Sequence, residues 1–217
     1  DAVDIILLSS HQLQPGSMVN VKIIGGIETT DEHGQDDKIL CVLDTKIDKE
    51  NEHINPQNFY GLSKREGELY LQKSKCQSII IRTSWLYSHF GNNFVNKIIS
   101  IAKERKKIHV VDDQYGCPTC AKDLAKIILY ILNSNTDFFK KKIICNYSNE
   151  GYTSWYGFAK KIIELTNINC EVLGVKSLYY KKNAIRSSFL VTDKSKLKNL
   201  LKIQIPHWED SLKTHLT

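Results

Sequence analysis

Ser78-Ile79-Ile80-Ile81-Arg82 decides the architecture of this chain. Three consecutive isoleucines leave no polar face, and a strand written that way is covered by helices on both sides. Apolar residues recur at helical spacing in the flanking stretches, 60–73 and 93–103. Moving outward, short apolar runs predict strands over 39–43, 108–111, 142–146 and 171–175. Amphipathic patterns predict helices over 121–132 and 155–165, then a short helix around 194–201 and another after Pro206. Thr119 or Cys120 precedes the third helix, and Thr153 with Ser154 offers a hydroxyl cap to the fourth. Strands alternating with helices predict an α/β fold built on a mainly parallel, Rossmann-like sheet.

The 217 residues, 41% hydrophobic and 25% charged, are enough for one large domain or two small ones and exclude collagenous and disordered classes. Of the 30 basic residues 26 are lysine, and the net charge is +6. They are spread along the chain, with short clusters only at 103–107 and 140–142, and no aromatic-basic platform accompanies them. Nucleic acid is therefore not an expected partner. The longest apolar run, 127–132, is far below the roughly 18 residues of a membrane span. Residues 5–8 are too short for a signal sequence and follow Asp1 and Asp4, so a cytoplasmic protein is expected.

Six cysteines lie mostly in apolar stretches, which reads as buried thiols rather than a disulfide framework. Cys117-Pro118-Thr119-Cys120 is a CxxC without the second pair that a structural zinc site needs, so no metal is expected.

The first 38 residues are harder to place. Strands fit 5–8 and 21–24, but the rest is polar and dotted with glycine. No G-x-G-x-x-G occurs anywhere in the chain. Two βαβ units of about 30 residues each do not fit ahead of Ile39, so the sheet is expected to be incomplete at its N-terminus.

The segment Asn55-Pro56-Gln57-Asn58-Phe59-Tyr60-Gly61-Leu62-Ser63-Lys64-Arg65-Glu66-Gly67-Glu68 carries the chemistry. Tyr60 and Lys64 are four apart and share one helix face. An ammonium beside a phenol favours the phenolate, which suits proton transfer to or from a carbonyl oxygen near neutral pH. Spacing alone is weak, because 10 Tyr and 26 Lys give about one Y-x-x-x-K by chance. The chain has two, and Tyr156/Lys160 sits in an ordinary amphipathic helix. Tyr60/Lys64 instead follows an N-P-x-N turn, where an α/β site forms.

This context resembles the extended short-chain dehydrogenase/reductases, with their Y-G-x-S-K-x-x-G-E setting. Downstream, Arg82-Thr83-Ser84-Trp85-Leu86-Tyr87-Ser88, Gly91-Asn92-Asn93-Phe94-Val95 and Val110-Val111-Asp112-Asp113-Gln114-Tyr115-Gly116-Cys117-Pro118-Thr119 resemble the dTDP-4-dehydrorhamnose reductase family. Asp123-Leu124-Ala125, Ser154-Trp155-Tyr156-Gly157-Phe158-Ala159 and Ala184-Ile185-Arg186 do so too. The resemblance runs from about Glu50 to the C-terminus.

It implies reduction of the 4-keto group of a nucleotide-linked deoxysugar, as in rhamnose biosynthesis, with NADPH or NADH as cofactor. Tyr60 would protonate the developing alkoxide, while Lys64 would hold the nicotinamide ribose and keep Tyr60 acidic. Thr83 and Ser84 would meet the nicotinamide or sugar. Trp85 would present an apolar face to the hexose, Gln114 would line the substrate site, and Arg186 would pair with the diphosphate. Residues 1–88 and 120–147 would form the partial dinucleotide-binding part, and 89–119 and 148–217 a small substrate-binding part. The nucleotide-sugar substrate is the expected partner, and self-association is left open.

Three departures stand beside the resemblance. The glycine-rich turn that would receive the cofactor pyrophosphate is absent. No third catalytic hydroxyl is recognisable, Thr45 being the nearest candidate and too close to Tyr60. Ser187 stands where the family has proline, and Leu190 where it has a small hydroxyl residue. The alternatives are a non-catalytic binding or regulatory protein on the same scaffold, an inactive truncated remnant, or an epimerase or dehydratase.

Overall fold

The computed structural model describes residues 4–9, 23–24, 50, 59–75, 78–134, 142–180 and 187–217. Strands β1 (Asp4–Ser9) and β2 (Ile23–Ile24) come first, then helix α1 (Phe59–Lys73), β3 (Ser78–Thr83), β4 (Leu86–Tyr87) and α2 (Phe94–Glu104). Next come β5 (Lys107–Val111), β6 (Tyr115–Gly116), β7 (Thr119–Cys120), α3 (Ala121–Asn133), β8 (Ile143–Asn146) and β9 (Thr153–Ser154). The chain ends with α4 (Trp155–Thr166), β10 (Glu171–Val175), β11 (Phe189–Leu190), α5 (Ser195–Leu201) and α6 (Trp208–Leu216). The strand expected over 39–43 lies outside the described residues. No described helix is long and apolar enough to cross a membrane.

All six residues of β3 are buried, as its composition requires. It pairs in parallel with β8, from Ile79↔Ile143 to Arg82↔Asn146. On its other edge β1 runs antiparallel, and β2 pairs antiparallel with β1. Parallel pairing recurs in β5–β10, β4–β7 and β6–β11, while β9 is antiparallel to β6. The fold is α/β, and its main departure from a parallel sheet is the antiparallel strand on β3, an arrangement common in mixed sheets.

Two apolar cores follow from this layout. Ile79 and Ile81 pack with Leu124, Ile128 and Ile131 of α3 and Leu197 of α5. The second core joins Val95, Ile98, Phe158, Ile162 and Leu212, so α2, α4 and α6 share one interior with β5.

Caps mark the helix starts where short polar side chains precede them. The Asn93 side chain accepts from the Asn96 amide at 3.1 Å, and the Ser154 hydroxyl accepts from Gly157 N at 3.0 Å. Cys120 occupies the cap position of α3 without a side-chain cap bond. Lys142 Nζ donates to the carbonyls of Leu71, Gln72 and Ser74 and closes the C-terminal end of α1. Cys117, Cys120, Cys145 and Cys170 are buried free thiols.

Candidate functional site

Helix α1 places Tyr60 and Lys64 one turn apart on one face, with Lys64 Nζ 4.8 Å from the centre of the Tyr60 ring. An ammonium over a phenol face is an attractive arrangement. Tyr60 is half-buried in the first turn of the helix, where Ser63 Oγ donates to its carbonyl at 2.8 Å.

Two turns further along, Glu68 is buried and fixes the helix to the sheet. Arg82 Nε donates to Glu68 Oε1 and Arg82 NH2 to Oε2, each at 2.8 Å. This two-pronged, charge-assisted bond sets both separation and orientation. The sheet is held at the same level: Tyr147 N donates to the Arg82 carbonyl at 2.8 Å, and Asn146 N to Glu50 Oε1 at 2.9 Å.

Beyond β3 the chain meets the 112–119 loop. Thr83 Oγ1 donates to Thr119 Oγ1 at 3.1 Å, and Ser84 Oγ to the Cys117 carbonyl at 2.8 Å. Both residues are fully buried. Their hydroxyls, expected to face a nicotinamide or sugar, are engaged inside the protein and bind the loop to the strand end.

Trp85 follows with φ +47°, in the left-handed region where a bulky residue is strained. Its ring stacks on Trp155 with centroids 3.5 Å apart and planes 10° from parallel. Phe94 lies against Trp155 with centroids 4.5 Å apart. The Trp85 Nε1 donor is buried without a hydrogen-bond partner among the described residues. A strained backbone and an unsatisfied donor at a strand end mark a place where local stability has yielded to geometry.

Gln114 is half-buried, and its carbonyl accepts from Trp155 N at 3.3 Å. Neighbouring carboxylates fix the loop. Asp112 Oδ1 accepts from Ser154 Oγ at 2.6 Å, and Asp113 accepts from both the amide and the hydroxyl of Ser177. The loop, the strand end and the start of α4 therefore converge on the Trp85–Trp155 stack. Arg186 lies outside the described residues. Tyr156, of the second Y-x-x-x-K, packs against the α2–α4–α6 core while Lys160 is exposed.

Residues 43–217 match the family model described as RmlD substrate binding domain. The chain belongs to that family. The RmlD-type chain is 31% identical over 184 residues to the spore coat polysaccharide biosynthesis protein SpsK of Bacillus subtilis, covering 85% of this chain and 62% of that one. It is 33% identical to the dTDP-4-dehydrorhamnose reductase of Sinorhizobium fredii over 75% of this chain and 57% of that one. Among solved structures, the Bacillus anthracis dTDP-4-dehydrorhamnose reductase in complex with NADP is similar with a TM-score of 0.71 and 35% identity, over 77% of this chain and 57% of that one. This RmlD-type chain thus spans about three fifths of the length of these relatives.

A second family model, described as inorganic pyrophosphatase, matches residues 1–78 and overlaps the first over 43–78. The sequence reading found no dinucleotide-fold pattern ahead of Ile39 and did not arrive at this likeness.

Sequence reasoning also passed over Glu68 as the partner of Arg82, and Trp155 and Phe94 as the partners of Trp85. Each lay inside a quoted motif, but contacts between motifs follow only from the register of distant elements.

Proposed function

We propose that this chain carries the proton-donating and sugar-binding part of an NAD(P)H-dependent reductase acting on the 4-keto group of a nucleotide-linked deoxysugar. The observation that carries the reading is the Tyr60–Lys64 pair, brought together on a helix that Glu68 and Arg82 lock to the central strand. The likeness to the Bacillus anthracis reductase that binds NADP supports the cofactor class.

The chain's own residues fit one end of such a cofactor. Tyr60 and Lys64 offer a phenol and an ammonium to a ribose and a carbonyl, but the sequence holds no glycine-rich turn to receive a pyrophosphate. When bound, the nicotinamide supplies hydride. Tyr60 Oη holds the proton that the carbonyl oxygen takes up as negative charge develops there. Lys64 stabilises the phenolate left behind, so donor and cation together favour the transition state over the ground state. The Trp85–Trp155 stack gives the sugar an apolar wall, and the 112–119 loop with Gln114 closes the polar side. Arg186 is assigned to the diphosphate on its sequence context.

The test follows NADPH oxidation by the full chain with a 4-keto-6-deoxy nucleotide sugar at saturating cofactor. Tyr60→Phe should lower the rate by about 10²- to 10⁴-fold while sugar binding, measured by calorimetry, is kept. Unchanged turnover in that variant, or no sugar binding by the parent chain, would refute the assignment.

The Thr83 and Ser84 hydroxyls, engaged with Thr119 and the Cys117 carbonyl, favour a second reading, a non-catalytic nucleotide-sugar binding protein on the same scaffold. It predicts calorimetric binding of the sugar with no fluorescence change on NADPH addition.

A further inference from the structure

The 112–119 loop fixes the two stacked indoles from its two ends. At the far end Ser84 Oγ donates to the Cys117 carbonyl at 2.8 Å and Thr83 Oγ1 to Thr119 Oγ1 at 3.1 Å. Trp85 is the next residue, and its indole lies close against Gly116 of the same loop. At the near end Ser154 Oγ donates to Asp112 Oδ1 at 2.6 Å. Trp155 follows Ser154 directly, and its ring centroid lies 3.5 Å from that of Trp85. The stack is therefore set by how the loop is held to the start of α4.

Asp112 does more at that junction than an N-cap requires. Ser154 is buried, and its hydroxyl oxygen accepts from Gly157 N at 3.0 Å, which satisfies the first turn of α4. That bond needs no partner for the hydroxyl proton. The Asp112 carboxylate takes the proton in a charge-assisted bond and so fixes which way the oxygen lone pairs point. It also sets a negative charge at the positive end of the α4 dipole. Asp112 is itself held, because its amide donates to the Val175 carbonyl at 2.9 Å. The Trp155 amide donates to the Gln114 carbonyl at 3.3 Å, so loop and ring-bearing turn are joined twice.

We propose that Asp112 is a positioning residue for the sugar site: through Ser154 it holds the first turn of α4, and with it the Trp155 ring that backs Trp85. It acts on the sugar only through the two indoles. Its part in sugar binding rests on the reading given above, in which the stack is the apolar wall for the sugar; its control of the stack rests on these contacts alone.

The experiment compares Asp112→Ala, Asp112→Asn, Ser154→Ala and Ser154→Thr in the full chain. Closely stacked indoles couple their transitions, and circular dichroism reads the pair as an exciton couplet; Trp155→Phe supplies the spectrum without it. Asp112→Ala and Ser154→Ala should lose the couplet and weaken calorimetric binding of a 4-keto-6-deoxy nucleotide sugar by about tenfold. In NADPH oxidation they should raise KM for the sugar and leave kcat within about twofold. Ser154→Thr, which keeps the hydroxyl, should retain both couplet and affinity. Asp112→Asn keeps an acceptor oxygen without the charge and should fall between, which also gives a reading should Asp112→Ala fail to fold. A lower urea midpoint with couplet and affinity unchanged is what a merely structural cap predicts, and it would overturn the proposal. A fall in kcat alone would overturn it too. Loss of the couplet in the variants of a parent that binds no nucleotide sugar would uphold the control of the stack and sink the sugar-site reading.

Discussion

The indole of Trp85 fills the space that a side chain at position 116 would need: a Cβ on Gly116 would lie 2.5 Å from Trp85 Cε2 and 2.7 Å from Nε1. Glycine is required there by close approach. Gly116→Ala must push the indole off its stack on Trp155 or shift β6 against β9 and β11. Overpacking of this kind costs about 1–3 kcal/mol. The expected result is a lower urea midpoint and altered tryptophan fluorescence. A variant that keeps the parent's midpoint and emission would show that the ring has room to move.

Glu68 and Arg82 make a different kind of contact, a buried pair whose members differ in what their loss exposes. Glu68→Ala takes the two Glu68 oxygens from a guanidinium buried at the end of β3. Removing one partner of such a pair costs about 3–5 kcal/mol. Arg82→Lys keeps the charge but loses the fork, so its cost should be smaller. Urea unfolding of the two variants checks the order. If Glu68→Ala matched the parent, α1 would be held to β3 by other contacts.

Most of the fold was legible because the deciding segments are strongly patterned. Periodicity placed α1, α2, α3 and α4 within a residue or two, and the isoleucine run placed β3. Two features were out of reach. The pairing of Glu68 with Arg82 joins a helix face to a strand end, and no local spacing encodes that. The inward-facing hydroxyls of Thr83 and Ser84 likewise depend on where the 117–119 loop lands. The N-terminal stretch resisted for another reason: residues 1–42 lie outside the match to the RmlD substrate-binding model and inside the match to the inorganic pyrophosphatase model, so a reading that extended one fold through them lacked the pattern it sought.

The Cys145 thiol offers a check on burial beneath the central sheet. Burial pushes its pKa up to about 12, and the nearby Glu50 carboxylate raises it further, against smaller opposing effects of Lys196 and Arg82. The thiolate is the reactive species. At about pH 8, Cys145 should therefore react with iodoacetamide at least about 10³-fold more slowly than an unperturbed cysteine of pKa about 8.5. Peptide mapping by mass spectrometry reads this directly. Rapid labelling of Cys145 in the folded protein would mean that β8 opens readily.

Asp123 ties α3 to α6, and its protonation should govern acid stability. Burial alone would raise its pKa, but hydrogen bonds from Ser211, Asn149 and Lys126 outweigh that and hold the carboxyl below its ordinary range. Ser211 Oγ and Asn149 Nδ2 reach Asp123 Oδ2 at 2.6 and 3.1 Å, and Asn149 Oδ1 accepts from the Cys120 amide at 2.7 Å. Because the folded state holds the proton less tightly than the unfolded chain, the unfolded state is protonated first as pH falls. The stabilisation is fully present above the unfolded value, about pH 4, and is lost as pH drops through the lower folded value. Asp123→Asn cannot ionise, so its unfolding midpoint should be lower than the parent's near neutrality and should fall less steeply in acid. Urea midpoints between about pH 6 and about pH 3 measure both slopes. Parallel curves for parent and variant would show that another carboxylate controls the acid transition.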